Sequence, residues 1–221
     1  HCLLALERTG NLGPHGLALM GGGDWNDGMN NVGPKGQGES VWLSWFTAYI
    51  LEEFSALVES KGDKARADKY RTRGREMVKS IEAHAWDGAW YRRAYFDDGS
   101  PMGAATNPEC QIDAIAQSWS VISGMGNENR QKIALASLDE RLIDRENRLV
   151  KLLGPPFHSS KPNAGYIQSY PPGLRENGGQ YTHASCWTIM AAAMSGDGNK
   201  AFEYFDIVNP ISHADSPAAV N

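Results

Sequence analysis

Val41-Trp42-Leu43-Ser44-Trp45-Phe46-Thr47-Ala48-Tyr49-Ile50-Leu51-Glu52-Glu53-Phe54-Ser55-Ala56-Leu57-Val58 decides the fold class. Trp42, Trp45, Phe46, Tyr49, Ile50, Phe54, Leu57 and Val58 recur at steps of three and four, the spacing of one apolar stripe on a helix. Residues 64 to 85 repeat the pattern through Tyr70, Met77, Val78 and Ile81, with Lys and Arg over the other face, so a second helix follows. Further along, Ile112, Ile115, Ala116, Trp119 and Ile122 mark a helix that stops at Gly124, and Ile133 to Leu142 marks another. Ala184, Trp187, Thr188, Ala191 and Met194 predict one more, then Ala201, Phe202 and Phe205 a last. Six or seven helices make an all-α domain over residues 1-221.

Two stretches interrupt the helices. Trp86 to Gly99 loses the helical period, carries aromatics suited to extended backbone and has Gly near both ends, which predicts a short strand or β-hairpin. Residues 154 to 179 are punctuated by Gly154-Pro155-Pro156, Pro162-Asn163-Ala164-Gly165 and Pro171-Pro172-Gly173 too often for a regular element. Long ordered loops of this kind usually carry function.

Composition removes several classes of function. The 221 residues are 41% hydrophobic and 21% charged, an ordinary globular balance. Net charge is −5, and 21 Lys and Arg are scattered among 26 Asp and Glu without a basic block, which argues against nucleic acid as a partner. No apolar run approaches the roughly 18 residues of a membrane span. Cys2, Cys110 and Cys186 are far apart and odd in number, so neither a disulfide framework nor a metal site is expected, and a reducing, cytoplasmic setting fits. The chain opens at His1 and stops at Ala218-Ala219-Val220-Asn221 straight after a helical pattern, and so reads as an excerpt of a longer parent.

The chemistry is concentrated in two loops. Met20-Gly21-Gly22-Gly23-Asp24-Trp25-Asn26-Asp27-Gly28-Met29-Asn30 and Tyr170-Pro171-Pro172-Gly173-Leu174-Arg175-Glu176-Asn177-Gly178-Gly179-Gln180-Tyr181-Thr182-His183 each crowd carboxylates, amides, aromatics and glycines into about a dozen positions. Glycine allows backbone to approach a ligand closely, at an entropic cost that a mere connector avoids. The first loop lacks the Lys-Ser/Thr of a phosphate-binding P-loop and the alternating oxygens and terminal Glu of a calcium loop. Seven Trp and eight Tyr suit a sugar site, since a pyranose lays its apolar face on an aromatic ring, though core packing accounts for most of them.

Gly23-Asp24-Trp25-Asn26-Asp27-Gly28-Met29-Asn30 with Gly38-Glu39-Ser40-Val41-Trp42-Leu43, and Pro171 to Ala184 further on, resemble the two signatures of glycoside hydrolase family 94, the inverting β-glucoside phosphorylases. Glu109-Cys110-Gln111-Ile112-Asp113-Ala114-Ile115-Ala116-Gln117-Ser118-Trp119 looks like the phosphorylase-type domain of cyclic β-1,2-glucan synthases, and the resemblance covers essentially the whole chain. It implies part of an (α/α)6 barrel whose loops form a sugar-binding pit, with inorganic phosphate as co-substrate and no other cofactor. It also implies Asp27 as general acid, Trp25 and Glu176 as β-glucan or gluco-oligosaccharide contacts, and His183 as a phosphate ligand. Gln180 and Asp24 join the substrate-binding set by position, with a loop-shaping hydrogen-bond role favoured for Asp24. Glu176 could instead pair with Arg175. Glu39 could support the acid loop or serve as a helix N-terminal carboxylate, and His15, His84, His158 and His213 read as surface or packing residues.

One acid suffices for phosphorolysis, because phosphate is already an anionic nucleophile, whereas inverting hydrolysis needs a second carboxylate to activate water. For Asp27 to hold a proton at neutral pH its pKa must rise above about 3.9, and Trp25 and the charge of Asp24 are the nearby residues that could raise it. Two other readings remain: an inverting hydrolase with Glu176 as base, and a glucan-binding or chain-gauging module without turnover. A chain carrying about half of a barrel is expected to leave Trp42, Trp45, Phe46 and Tyr49 without partners, and so to self-associate or need the rest of its parent, at the cytoplasmic face of a membrane.

Overall fold

The computed structural model describes residues 1–214, so the end of the chain at 218–221 lies outside the described residues. Seven α-helices stand among them: α1 (Cys2–Arg8), α2 (Val41–Ser60), α3 (Lys64–His84), α4 (Ala114–Ile122), α5 (Glu128–Leu142), α6 (Thr182–Met194) and α7 (Gly198–Val208). Side-chain caps set most of the starts. Ser40, Asp63, Asp113, Asn127 and Asp197 each accept a backbone N–H from the first turn of α2, α3, α4, α5 and α7. α6 differs, because Tyr181 at its N-cap gives no side-chain acceptor and the first-turn N–H groups stay open.

The helices pair as α2 with α3, α4 with α5 and α6 with α7, while α2 packs on α4 and α4 on α6. Three hairpins therefore stand in a row, joined through their first helices. Aromatic burial holds that row together. Trp42 stacks on Phe46 at 5.4 Å and Trp187 at 5.9 Å and meets Trp119 edge-on at 6.2 Å, and Trp45 lies edge-on to Tyr91 at 5.4 Å. Burying one indole removes about 200 Å² from water, roughly 5 kcal/mol of transfer free energy. The indole N–H groups of Trp42, Trp45 and Trp119 are buried without partners, at about 1–3 kcal/mol each, and packing outweighs that cost.

This corrects the expectation of an uncovered Trp42–Tyr49 stripe: Trp42 and Trp45 are buried and Phe46 and Tyr49 partly so, because α3 and α4 flank α2 within the chain. Exposed apolar residues lie at the other end of the row, at Met190 and Met194 on α6 and Phe202 and Phe205 on α7.

The strands exceed the single hairpin expected over 86–99. β3 (Ala94–Tyr95) does pair with β4 (Pro101–Met102), but it also pairs with β2 (Glu39–Ser40), and β2 with β1 (Ala18–Leu19), giving a four-stranded antiparallel sheet. Ala18 sits opposite Ser40, Ser40 opposite Ala94, and Ala94 opposite Met102. β5 (Ile112–Asp113) pairs with β8 (Leu153–Gly154), and β6 (Ile143–Asp144) with β7 (Leu149–Val150). Two-residue ladders are too short for a period-2 pattern to show in sequence. They matter here because β1 leads into the first loop, β2 into α2, and β3 follows Arg93.

Candidate active site

The 20–30 loop has a buried side and an open side. On the buried side the Asp24 carboxylate is wholly covered and takes a bidentate pair from Arg93, Nη1 to Oδ2 at 2.6 Å and Nη2 to Oδ1 at 2.7 Å. The Ser40 hydroxyl donates to Asp24 Oδ2 at 2.6 Å and the Asn26 backbone N–H to Oδ1 at 2.9 Å. Arg93 Nε also donates to Asp113 Oδ2 at 3.1 Å, so one buried guanidinium serves two buried carboxyls. Burial presses the Asp24 carboxyl upward, but the Arg93 charge, its two donors, Ser40 and Asn26 together hold it below the usual carboxylate range. At Asp113, with one Arg93 contact and the Ile115 N–H, burial wins and pushes the carboxyl up to about 6. Asp24 is therefore the ionised partner of Arg93.

That arrangement corrects two expectations. Asp24 has no exposed oxygen to offer a sugar; it shapes the loop instead. Nor does it press a free negative charge on Asp27, since Arg93 neutralises it. Arg93 escaped sequence reasoning because 69 residues separate it from Asp24, inside a stretch that shows only as extended.

On the open side, Asn26 caps a 3₁₀ turn over Asp27–Met29, its side chain accepting the Gly28 N–H, and Asp27 points out exposed. A second 3₁₀ turn, Tyr166–Ser169, packs against it. The Tyr166 N–H donates to Asn30 Oδ1 at 3.0 Å, the Asn31 N–H to the Ala164 carbonyl at 3.1 Å, and the Asn31 amide to Asn163 Oδ1 at 3.2 Å. Gly165 at the junction has φ +132°, and a Cβ there would strike Asn30 and the Gly28 carbonyl, so only glycine lets the two turns close. The neighbouring Asp27 carboxylate, with desolvation and nearby Tyr170 and Glu176, pushes the Tyr166 phenol up to about 12. Tyr166 was absent from the residues singled out in sequence; the glycine before it in a heavily punctuated loop was the available signal.

The second loop is held open by Asn177. Its Oδ1 accepts the Phe157 N–H at 2.7 Å and its amide donates to the Phe157 and Tyr170 carbonyls at 2.8 and 2.9 Å. Glu176 is buried, with Oε2 lacking any hydrogen-bond partner. Arg175 Nε lies 3.4 Å from that oxygen, while its guanidinium sits 4.6 Å over the Tyr170 ring. Gln180 is turned to structure: its Oε1 accepts the Val150 N–H at 2.9 Å. His183 stands exposed in the first turn of α6, and the Trp25 indole N–H donates to its Nδ1 at 3.1 Å. An imidazole that accepts at Nδ1 carries its hydrogen on Nε2, so that N–H faces outward as a donor. The Trp25 ring also packs edge-on to Tyr181 at 5.1 Å and lies 5.5 Å from Trp187. One hydrogen bond thus ties the acid loop to the end of the second signature, 158 residues away.

Glu39 is buried beneath this assembly. It accepts the His15 and Leu17 N–H groups at 2.9 and 3.1 Å and pairs with His15 Nδ1 at 2.5 Å, fixing the turn that feeds β1. His15 stacks on Tyr95 at 4.0 Å, a packing role.

An exposed carboxyl, clustered aromatics and an imidazole stand together on a frame of helical hairpins. The model of the "Glycosyl hydrolase 94 superfamily, catalytic domain" matches residues 1–220, and the chain belongs to that family. It is 46% identical over 218 residues to cyclic beta-(1,2)-glucan synthase NdvB of Rhizobium meliloti, covering 97% of this chain and 8% of that protein. It is 34% identical over 222 residues to 3-O-beta-D-glucopyranosyl-beta-D-glucuronide phosphorylase of Paenibacillus borealis, covering 100% of this chain and 28% of that protein. The chain therefore spans under a third of these relatives. A solved GH78 rhamnosidase of Bacillus sp. GL1 shares the fold, with TM-score 0.58 and 17% identity over 91% of this chain and 17% of that one.

Proposed function

We propose that this chain carries the acid-donating part of an inverting phosphorolysis site for β-glucosidic bonds, working in either direction, within an (α/α)6 barrel completed by further helices. The observation that carries the reading is the Trp25–His183 hydrogen bond, which joins the Asp27 loop and the outward Nε2–H of His183 into one site. In the forward direction the Asp27 carboxyl gives its proton to the glycosidic oxygen as the C1–O bond breaks, and a phosphate oxygen forms the new bond to C1 from the opposite face. The proton that phosphate brought returns to Asp27, so the balance closes on an alcohol and a sugar 1-phosphate. His183 contributes a neutral donor to the phosphate, and the open N–H groups of α6 lie beside it. Trp25 walls the sugar site, and Glu176 Oε2, buried, within ion-pair distance of Arg175 but without a hydrogen bond, accepts a substrate hydroxyl.

Similarity to a cyclic beta-(1,2)-glucan synthase and to a β-glucoside phosphorylase supports a β-1,2-glucan or a gluco-oligosaccharide as substrate. No helix among the described residues is long and apolar enough to cross a membrane. A cytoplasmic site, at the inner face of a membrane when the parent is a glucan synthase, suits a phosphate co-substrate. The test is phosphate dependence in the full-length protein: sugar 1-phosphate release from β-gluco-oligosaccharides only when phosphate is present. Equal cleavage without phosphate would establish the hydrolase with Glu176 as base, and binding without either product would establish the glucan-holding module.

A further inference from the structure

We infer that Trp187 is a positioning residue for His183, its indole ring fixing the imidazole so that the outward Nε2–H meets the phosphate. The inference rests on His183 being the phosphate donor. His183 and Trp187 stand four residues apart on α6, and a helical side chain leans back over the turn before its own Cα, so Trp187 covers the turn that carries His183. The two rings lie 4.3 Å apart between centroids, tilted by 51°, and at that separation they touch. The Nδ1 of the same imidazole accepts the Trp25 N–H. His183 is therefore held twice, by a hydrogen bond from the acid loop and by a ring one turn along its own helix.

That ring is itself fixed from below. Trp187 stacks on Trp42 at 5.9 Å and 22° and meets Trp119 edge-on at 5.3 Å and 86°, and both of those indoles are buried. Trp187 is only partly covered, so it passes from this core to the surface where exposed His183 stands. A histidine left unsupported on a helix spreads over two χ1 wells and two ring orientations, so about one arrangement in four aims Nε2–H at a given point. Aim matters, because a hydrogen bond weakens steeply as its angle closes.

Coupling between the two residues tests this, in the full-length protein with inorganic phosphate as the varied substrate. W187L removes the ring and should raise KM for phosphate about fourfold, the loss expected when about one orientation in four stays productive. W187F keeps an aromatic ring over the same turn and should recover most of that loss. In an H183A background W187L should raise KM for phosphate no further, because the group it aims is gone. Trp187 also lies 5.5 Å from Trp25, so a change in KM for the oligosaccharide should be the same with and without His183. W187M, which fills the space over Trp42 and Trp119 without a flat face, carries the same comparison if W187L does not fold. A rise in phosphate KM that persists undiminished in H183A, or a phosphate KM unchanged by loss of the ring, would overturn Trp187 as a positioning residue. A phosphate KM unmoved by H183A alone would instead overturn His183 as the donor.

Discussion

Asp24 and Asp27 lie three residues apart in one loop, and their surroundings are opposite. Asp24 faces inward, its charge matched by a guanidinium and its oxygens filled by Arg93, Ser40 and a backbone N–H. Asp27 faces outward, in a turn packed against the distant Tyr166–Ser169 turn. The first carboxylate gives the loop its shape, and the second is left open to solvent. A buried, bidentate ion pair resists rearrangement, so the covered side of the loop fixes where the exposed side stands.

The sharpest test of that division is D27N, which should lower kcat for phosphorolysis by about 10²–10⁴ while sugar binding and the unfolding midpoint stay unchanged. A loss confined to KM would sink the acid role. D24N reverses the pattern: it leaves Arg93 short of a buried counter-charge and should cost about 3–5 kcal/mol of stability in denaturant unfolding, with activity lost through the fold. If D24N kept wild-type stability and lost only sugar affinity, Asp24 would return to the substrate set. Smaller still is H183A, which removes one donor to an anion, about 1.5–3 kcal/mol, and should weaken phosphate or arsenate use far more than sugar binding. Equal loss for both ligands would assign His183 to holding Trp25 in place.

The last test concerns the proton on the buried side. Asp113 releases its proton near the ordinary 3.8 when unfolded but at about 6 when folded. Its contribution to stability is therefore complete below about pH 4 and is lost as pH rises through 6. D113N cannot titrate yet keeps an oxygen for the Ile115 N–H, so the stability of wild type relative to D113N should fall between pH 4 and 6. A constant difference across that window would place the buried proton elsewhere.

Six of the seven helices and both glycine-rich loops were legible because they are local: α2 announces itself at steps of three and four, and the loops by their density of Gly, Asp and amide residues, while the seven-residue α1 (Cys2–Arg8) is too short to show a period. What stayed hidden joins distant segments. Arg93 sits in a run that reads only as extended, yet two-residue strand pairings carry it to Asp24 and Asp113. Tyr166 lies in a stretch whose prolines and glycines hide a single 3₁₀ turn. Gln180 forms a β-bridge with Lys151 and its side-chain oxygen accepts the Val150 N–H, links across 30 residues that no local pattern shows. The Trp42 stripe was expected to need outside partners, and Trp119 and Trp187 provide them.

Ser40 carries an evolutionary consequence. Its hydroxyl accepts the Leu43 N–H that starts α2 and donates to Asp24, its carbonyl accepts the Ser44 hydroxyl at 2.7 Å, and its backbone pairs with Ala18 and Ala94. Alanine would fail the helix and the acid loop in one step. Asparagine and aspartate, good caps elsewhere, would set an amide or a second negative charge against the Arg93–Asp24 pair. A lineage drifting through sequence space can therefore alter the exposed rim of these loops one residue at a time. At position 40 the cap, the carboxylate contact and the strand pairing meet on one small residue, and change there waits for several coordinated mutations, although the residue is wholly buried.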